Sequence, residues 1–353
     1  MKRVLLTIAA VAALASCSKD NIVERAPYAP IAFDNAFVNN STRAAIDGTY
    51  STAKLSEFQV YGTITTNDSN DSKTANIFAG EPVSKNIDDT WKYDAAHTQY
   101  WIPGNTYNFV AIADGNADDD ATSVSTDDYG MPTAIELLDA TMQHDVLYAE
   151  QKKITDSPNG FPSSVEFTFN HIMAKAKVTV KNTIETNSGY SYKVSGITLN
   201  DTAKNGTYDI ATGTWSKAND PKDYNCPFGN AVVTAANIAA NAPADFIGFG
   251  ESLESNFEWL IVPTFKGDDT TEIKITFTRD YYYSSDGGKN NVLVRSETNT
   301  VSAKKKIEAG HAYNFVIKLG NPGEPIKFTV ESITDWDTDH NDDGKKNDET
   351  NIN

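Results

Sequence analysis

Short runs of alternating apolar and polar residues recur along most of the chain, separated by clusters of Asn, Asp, Ser and Gly. Such runs, rich in Val, Ile, Thr, Tyr and Phe, are typical of β-strands. Helix signals are sparse, and the best candidates are Ile135–Met142 and Ala231–Ala240. The pattern predicts an all-β protein with few short helices.

The first apolar run covers residues 29–38, with the sequence Ala-Pro-Ile-Ala-Phe-Asp-Asn-Ala-Phe-Val. Because side chains alternate along a strand, the odd positions place Ile31, Phe33 and Phe37 on one face. A polar loop follows at Asn39–Ala44, in which Arg43 is the single basic residue. The next strand candidate begins at Leu55, so this loop separates the first strand from the strands that follow it.

The 353 residues exceed a typical single core, which makes two domains the expectation. A turn-rich stretch around Pro158 and Pro162 divides the strand candidates into two groups. We therefore expect one β-sandwich at 29–163, a second at 164–336 and an acidic tail at 337–353.

Two local sequence patterns carry further predictions. Trp91–Tyr93 and Tyr100–Ile102 flank a polar loop, which favours a hairpin. The sequence Gly-x-x-Tyr-Asn-Phe-Val at Gly104–Val110 recurs at Gly310–Val316. The separation is close to the size of one domain with its loops, so the repeat indicates two related domains.

The N-terminus has the three-part layout of a secretory signal peptide at residues 1–16. Lys2 and Arg3 precede an almost wholly apolar run, Val4–Leu14, and small residues lead to Cys17. The apolar run is too short for a permanent membrane helix. We expect cleavage before Cys17, lipidation of that cysteine and a linker at 17–28.

Charge and cysteine content narrow the possible partners and chemistry. The net charge of -18 argues against nucleic-acid binding, which requires clustered Lys and Arg. With Cys17 lipidated, Cys226 has no partner for an intramolecular disulfide and is expected to be a buried or inert thiol.

The sequence contains no enzyme motif that we can identify, and we assign no catalytic residue and no cofactor. The five histidines are scattered without metal-ligand spacing. His171 lies in the segment where the two predicted domains meet, and we expect backbone groups to satisfy its ring. A secreted hydrolase on a β-sandwich remains a minor alternative, since many carboxylates can pair by coincidence.

The acidic tail holds a weak calcium candidate. Its oxygen-bearing side chains alternate before a glycine, as in calcium loops, and they belong to Asp337, Asp339, Asn341 and Asp343. The twelfth position of an EF-hand loop started at Asp339 is Thr350 rather than a glutamate. A disordered tail without a bound ion is the favoured interpretation.

The run Tyr281–Tyr283 places at least one ring outward if the segment is extended. An exposed ring could stack on a sugar or a host protein. Packing of two rings, with the third lying flat at a hairpin end, is the favoured alternative.

The sequence resembles the fimbrillin family, which are protease-activated pilin lipoproteins of Gram-negative anaerobes. Three segments carry the resemblance: the leader with Cys17, the strand and loop before Leu55, and Val165–Val180. The resemblance implies two consecutive transthyretin-like β-sandwich domains. It also implies export to the outer membrane as a lipoprotein and a cut between Arg43 and Ala44 by an arginine-specific protease. Removal of the first strand would then allow donor-strand exchange with other pilin subunits in a fimbrium that supports adhesion.

The origin of the donated strand is open in the sequence. One face of the last apolar run carries Ile326, Phe328, Val330 and Trp336, which suits either a donor strand or the final strand of its own domain. The tail beyond it is too polar to fill an apolar groove. This leaves both a stalk position and an accessory or tip position open. A non-polymerising surface lipoprotein that binds a glycan or a host protein is the alternative function.

Overall fold

A computed structural model describes eleven stretches of the chain: residues 28–38, 55–67, 71–114, 122–158, 160–184, 189–228, 232–233, 252–254, 258–285, 290–333 and 347–351. Within these stretches the chain is almost entirely β-structure, with two single turns of 3-10 helix. The all-β fold class is confirmed.

The strands of the N-terminal half are β1 Phe33–Val38, β2 Glu57–Thr66, β3 Thr74–Lys85, β4 Trp91–Lys92, β5 Asn105–Ala113, β6 Thr122–Thr126, β7 Pro132–Leu137, β8 Leu147–Ile154 and β9 Val165–His171. The 3-10 turns are Ala95–His97 and Ala140–Met142.

The strands of the C-terminal half are β10 Ala174–Asn182, β11 Tyr190–Ala203, β12 Gly206–Asp209, β13 Thr214–Ser216, β14 Asp223–Pro227, β15 Val232–Val233, β16 Ser252–Glu254, β17 Trp259–Ile261, β18 Thr271–Tyr283, β19 Val292–Lys305, β20 Ala312–Leu319, β21 Lys327–Ile333 and β22 Asn347–Asn351.

Seven strands of the N-terminal half form one sheet in the order β1-β9-β8-β5-β2-β3-β4. Its inward side chains form a single apolar cluster rich in aromatic rings, including those of Phe58, Phe109, Phe167 and Phe169. The sheet curves around this cluster, so that β1 at one end comes near β4 at the other. The first domain is thus a sheet almost closed on its own core.

The C-terminal half is a sandwich of two sheets. One has the order β15-β16-β10-β20-β21-β22, with β17 also on β10, and the other has the order β14-β11-β18-β19. Phe277 of one sheet and Phe315 of the other belong to the shared core. Cys226 is fully buried there, and burial raises the pKa of its thiol, as expected for an inert cysteine.

The repeated Gly-x-x-Tyr-Asn-Phe-Val sequence forms an equivalent corner in each half. It leads into the central strands β5 and β20. The hydroxyl of Tyr107 accepts a hydrogen bond from the backbone N–H of Ile102 at 2.7 Å, five residues earlier. The hydroxyl of Tyr313 accepts the same bond from Glu308 at 2.8 Å. The repeated sequence therefore forms the same tyrosine-to-backbone hydrogen bond in both halves.

The domain boundary that we predicted at 163/164 is wrong by one strand. Val165–His171 pairs with β1 and β8 in the first sheet. Its alternating side chains, Phe167 and Phe169 among them, enter the N-terminal core. Pro158 and Pro162 lie in the connection between β8 and β9, and the second group of strands begins at Ala174.

A small sheet joins the two halves, in the order β13-β12-β7-β6. Ile135 and Leu137 on β7 are buried against Tyr208 and Trp215. The Trp215 indole N–H donates to the backbone oxygen of Ile172 at 2.6 Å. The helix that we predicted over Ile135–Met142 is wrong, because pairing with β12 holds this segment extended as far as Leu137.

Three other local predictions also differ from the structure. Val232–Val233 is extended against β16, which contradicts the second predicted helix there, and most of Ala231–Ala240 lies outside the described residues. Trp91–Lys92 pairs with β3, whereas Tyr100 forms a bridge with Pro30, so the predicted hairpin is wrong. In the tail, Asn347–Asn351 adds an edge strand to β21, so this part of the tail is ordered rather than disordered.

The two tyrosine corners should contribute similarly to stability. Tyr107→Phe and Tyr313→Phe each remove the hydrogen bond that the hydroxyl accepts from a backbone N–H, and Tyr107→Phe also removes the long 3.3 Å bond that the hydroxyl donates to Tyr100 O. Each is expected to lower the free energy of unfolding by about 1 kcal/mol in urea denaturation. Tyr129→Phe, at a half-exposed side chain, is the matched control and should have no measurable effect. A loss in only one of the two corner variants would contradict their equivalence.

Candidate functional site

Strand β1 is the edge strand of the N-terminal sheet, and the residues just before it lie between β9 and the loop at residues 99–101. On one side, the Val165 N–H at the start of β9 donates to Ala32 O at 2.7 Å. On the other side, Ile31 N donates to Gln99 O at 2.8 Å, and Trp101 N donates to Ala29 O at 3.0 Å. We call the slot between β9 and residues 99–101 the β1 seat. The segment in this seat therefore links β9 to residues 99–101 through backbone hydrogen bonds.

Phe33 anchors β1 in the seat. Its side chain is 3% exposed. The centroid of its ring lies 5.5 Å from that of Phe78, 5.6 Å from Tyr93, 6.0 Å from Phe109 and 5.9 Å from Phe167. Aromatic pairs at these separations attract beyond simple burial. A single side chain of β1 thus contacts rings from several parts of the sheet.

Tyr93 adds a polar contact to the same seat. Its hydroxyl donates to the backbone oxygen of Ile31 at 2.7 Å. Burial, the largest cause, raises the pKa of Tyr93, so the hydroxyl remains a neutral donor at physiological pH. This bond fixes the position of Ile31, whose side chain is 1% exposed in the same core.

A β-bulge changes which side chains of β1 face the core. Between Asp34 and Phe37, β1 has one residue more than the paired stretch of β9. The extra residue reverses the alternation, so Ala36 and Val38 are buried and Phe37 is 50% exposed. The prediction for Ile31 and Phe33 agrees with their burial, and the prediction that Phe37 shares their face is wrong.

The residues predicted for processing cannot be placed. Cys17, Arg43 and Ala44 lie outside the described residues, as does the second basic candidate, Arg25. The same is true of Trp336 and of the calcium candidates Asp337, Asp339, Asn341 and Asp343.

The apolar run at the C-terminal end is a strand of its own domain. Phe328 and Val330 are 0% and 2% exposed, and Ile326 packs against the same core. Strand β21 pairs with β20 on one side and with β22 on the other. Of the two alternatives left open by the sequence, the arrangement favours a final strand over a free donor.

His171 has a partner that the sequence did not suggest. Its Nδ1 lies 2.8 Å from a carboxylate oxygen of Asp145, and both side chains are buried. Our expectation that backbone groups satisfy the ring is therefore wrong, since the contact is to a carboxylate 26 residues earlier in the chain. His171 is the last residue of β9.

The tyrosine run is mostly packed. Tyr281 is buried, and Tyr283 is 41% exposed with its ring 5.2 Å from that of Tyr190. This agrees with the packed alternative for the run.

The described residues contain neither a cluster of potential metal ligands nor a helix that could span a membrane. Among the described residues, no group of three or more His, Cys, Asp or Glu side chains could hold a metal ion. The same stretches contain no helix with the length and apolar character needed to cross a membrane.

The sequence matches the model of the Fimbrillin-like family over residues 42–336. The chain belongs to the fimbrillin-like family. Membership gives it a fimbrial or adhesin-like role at the cell surface, in association with other pilin subunits, rather than an enzymatic one. None of the curated proteins matches this fimbrillin-like chain.

Solved structures of low sequence identity are similar to most of the chain, and the first of them shares its fold. A fimbrial protein from Bacteroides vulgatus has a TM-score of 0.62 at 15% identity, covering 86% of this chain and 98% of its own. A putative cell adhesion protein from Bacteroides ovatus has a TM-score of 0.47 at 15% identity, covering 89% and 100%. The fimbrial anchor protein Mfa2 from Porphyromonas gingivalis has a TM-score of 0.36 at 11% identity, covering 86% and 97%.

Two phenylalanines of β1 provide a matched test of the bulge. Phe33→Ala removes a ring buried among four others and is expected to lower the free energy of unfolding by about 3–5 kcal/mol. Phe37→Ala removes a half-exposed ring and should change it by about 0.5 kcal/mol or less. Chemical denaturation measures both. Equal losses would mean that both rings enter the core, which the bulge does not allow.

Proposed function

We propose that this fimbrillin-like chain is a fimbrial subunit that accepts a strand from a neighbouring subunit into the β1 seat. The observation that carries the proposal is that Ile31 and Phe33 are buried although β1, which begins at Phe33, is the edge strand of its sheet. Beyond Val38, β1 continues only into the connection 39–54, which leads to the second strand. A single cut in that connection separates β1 from the other strands of the sheet without breaking any of them.

Maturation would begin at the membrane. Lipidation of Cys17 would hold the precursor at the outer membrane, since several acyl chains suffice to anchor a soluble domain. An arginine-specific protease would then cut between Arg43 and Ala44. Arg43 lies in the connection between β1 and the second strand, where a cut would separate the two.

Cleavage alone would not expel β1. Three inward side chains of the segment 31–38, those of Ile31, Phe33 and Val38, are each worth roughly 1.5–3 kcal/mol of gross transfer free energy. What the cut removes is the tether, which keeps the strand at high effective concentration beside its seat. A strand from another subunit can then compete for the seat, because β1 no longer has the advantage of the covalent tether.

The seat defines the chemistry of an incoming strand. It must be extended, so that its backbone can replace the hydrogen bonds to Val165 and to residues 99–101. It must also carry a large apolar side chain at the position of Phe33. An empty seat would expose unpaired backbone groups and aromatic rings, which is a liability for aggregation.

The other end of the chain favours an acceptor over a donor. Phe328 and Val330 are committed to the core of their own sandwich. The strand beyond them, Asn347–Asn351, has the sequence Asn-Asp-Glu-Thr-Asn, which offers no large apolar side chain to a partner's seat. A subunit that accepts a strand but does not donate one suits an end or accessory position in the fimbrium.

Blocking the cut should block assembly. In cells that express the chain with its fimbrial partners, Arg43→Gln is expected to abolish detergent-resistant high-mass species that contain it, because β1 stays tethered. Immunoblotting of surface extracts measures this, and Arg25→Gln is the matched control that should assemble normally. Normal assembly of the Arg43→Gln chain would overturn the proposed cut site.

Mass spectrometry of the surface form separates the two candidate functions. An assembled subunit should begin at Ala44. A lipidated Cys17 on every mature chain would instead favour a non-polymerising surface lipoprotein or an anchoring subunit.

A further inference from the structure

The core face of the C-terminal sandwich becomes polar at one edge. Along β18 the inward positions are Ile275 and Phe277, and the next one is Arg279, which is 4% exposed. On the neighbouring edge strand β19, Glu297 pairs with Arg279 and Asn299 pairs with Phe277. Apolar side chains would fill these positions at less cost, because burying a charge requires compensation. Such departures from a consistent core pattern are expected at functional sites.

These polar side chains border a cavity of about 340 Å³. It lies between β19 and the turn that joins β20 to β21. Its lining includes Arg279, Arg295, Glu297, Asn299, Gly323 and Pro325. The volume falls in the range of small-ligand sites.

Arg279 is held in place but not fully satisfied. Its guanidinium carbon lies 4.4 Å from the ring centroid of Tyr281 and 5.7 Å from that of Tyr192, and Nη2 forms an ion pair with Glu297. Its Nε and Nη1 are buried and have no hydrogen-bond partner among the described residues. Leaving buried donors unpaired costs free energy, so these atoms call for an acceptor.

Asn299 has the opposite requirement. Its Oδ1 is buried beside the cavity and, within the described stretches, receives no hydrogen bond. A ligand that satisfies both residues must carry an acceptor for Arg279 and a donor for Asn299. A carboxylate next to hydroxyl groups meets both requirements.

The lining carries two arginines and two glutamates, so its formal charges balance. Arg295 also binds Glu297, at 2.8 Å, so two arginines share one carboxylate. The other carboxylate on the lining, Glu324, is exposed and accepts hydrogen bonds from the backbone N–H and the side-chain amide of Asn321, both at 2.9 Å. Solvent therefore screens its charge more than that of the buried Arg279.

We propose that this cavity binds an acidic monosaccharide, with its carboxylate toward Arg279 and a hydroxyl toward Asn299. The site belongs to the second sandwich and does not depend on the cut at Arg43 or on strand exchange. It would give the subunit a ligand of its own.

Binding is tested with the uncut full chain and defined probes. In calorimetric titration, glucuronate and N-acetylneuraminate should each bind at least about tenfold more tightly than glucose, because only they supply the charged acceptor. Their affinity should fall as salt is added. Failure of both acids to bind, or binding no tighter than that of glucose, would overturn the proposal and leave Arg279 as part of a structural ion pair.

Two substitutions on one strand locate the site. Asn299→Asp places a second carboxylate against that of the ligand and should weaken glucuronate binding about tenfold or more. Thr298→Asp adds the same charge on the exposed outer face of β19 and should leave affinity unchanged. Arg279→Lys keeps the charge but loses the planar donors, and it should also weaken binding. Thermal unfolding shows whether each variant is folded, and equal effects of Asn299→Asp and Thr298→Asp would place binding elsewhere.

Discussion

The N-terminal domain depends on the contact between Phe33 and the aromatic rings beneath it. Those rings come from β3, β5, β9 and the segment after β4, so the side chain of a single strand connects parts of the sheet that are distant in order. The backbone of the same segment bonds to β9 on one side and to residues 99–101 on the other. Whatever occupies the β1 seat must therefore complete both the core and the ladder. This shared requirement is what would link folding to assembly.

The sequence predicts the features that depend on local alternation. The burial of Ile31 and Phe33 follows from a period of two, and the β-rich composition gives the fold class. The exposure of Phe37 does not follow, because a bulge is defined by the register with β9, more than 120 positions later. In the same way Ile135–Leu137 has a local pattern compatible with a helix. Its pairing with Gly206–Asp209 in the other half decides the outcome.

The polar edge of the second core can be recognised in the sequence as a break in the alternation of apolar residues. Arg279 stands where the alternation Ile273, Ile275, Phe277 calls for another apolar residue. Once β18 is assigned as a strand, this departure is visible without coordinates. The cavity beside it is not visible in the sequence, because it requires the Asn321–Glu324 turn to lie against β19. The two proposed functions thus lie in different halves of the chain, with assembly at the β1 seat and ligand binding at the cavity.

The central claim is that the seat can be filled by a strand from outside the chain. The most direct test is uptake of a labelled synthetic peptide, residues 28–38, by protein that has been cut after Arg43. The account predicts that cut protein takes up the peptide and releases its own strand in equal amount, whereas uncut protein takes up almost none. Equal uptake by both forms, or uptake by neither, would contradict it.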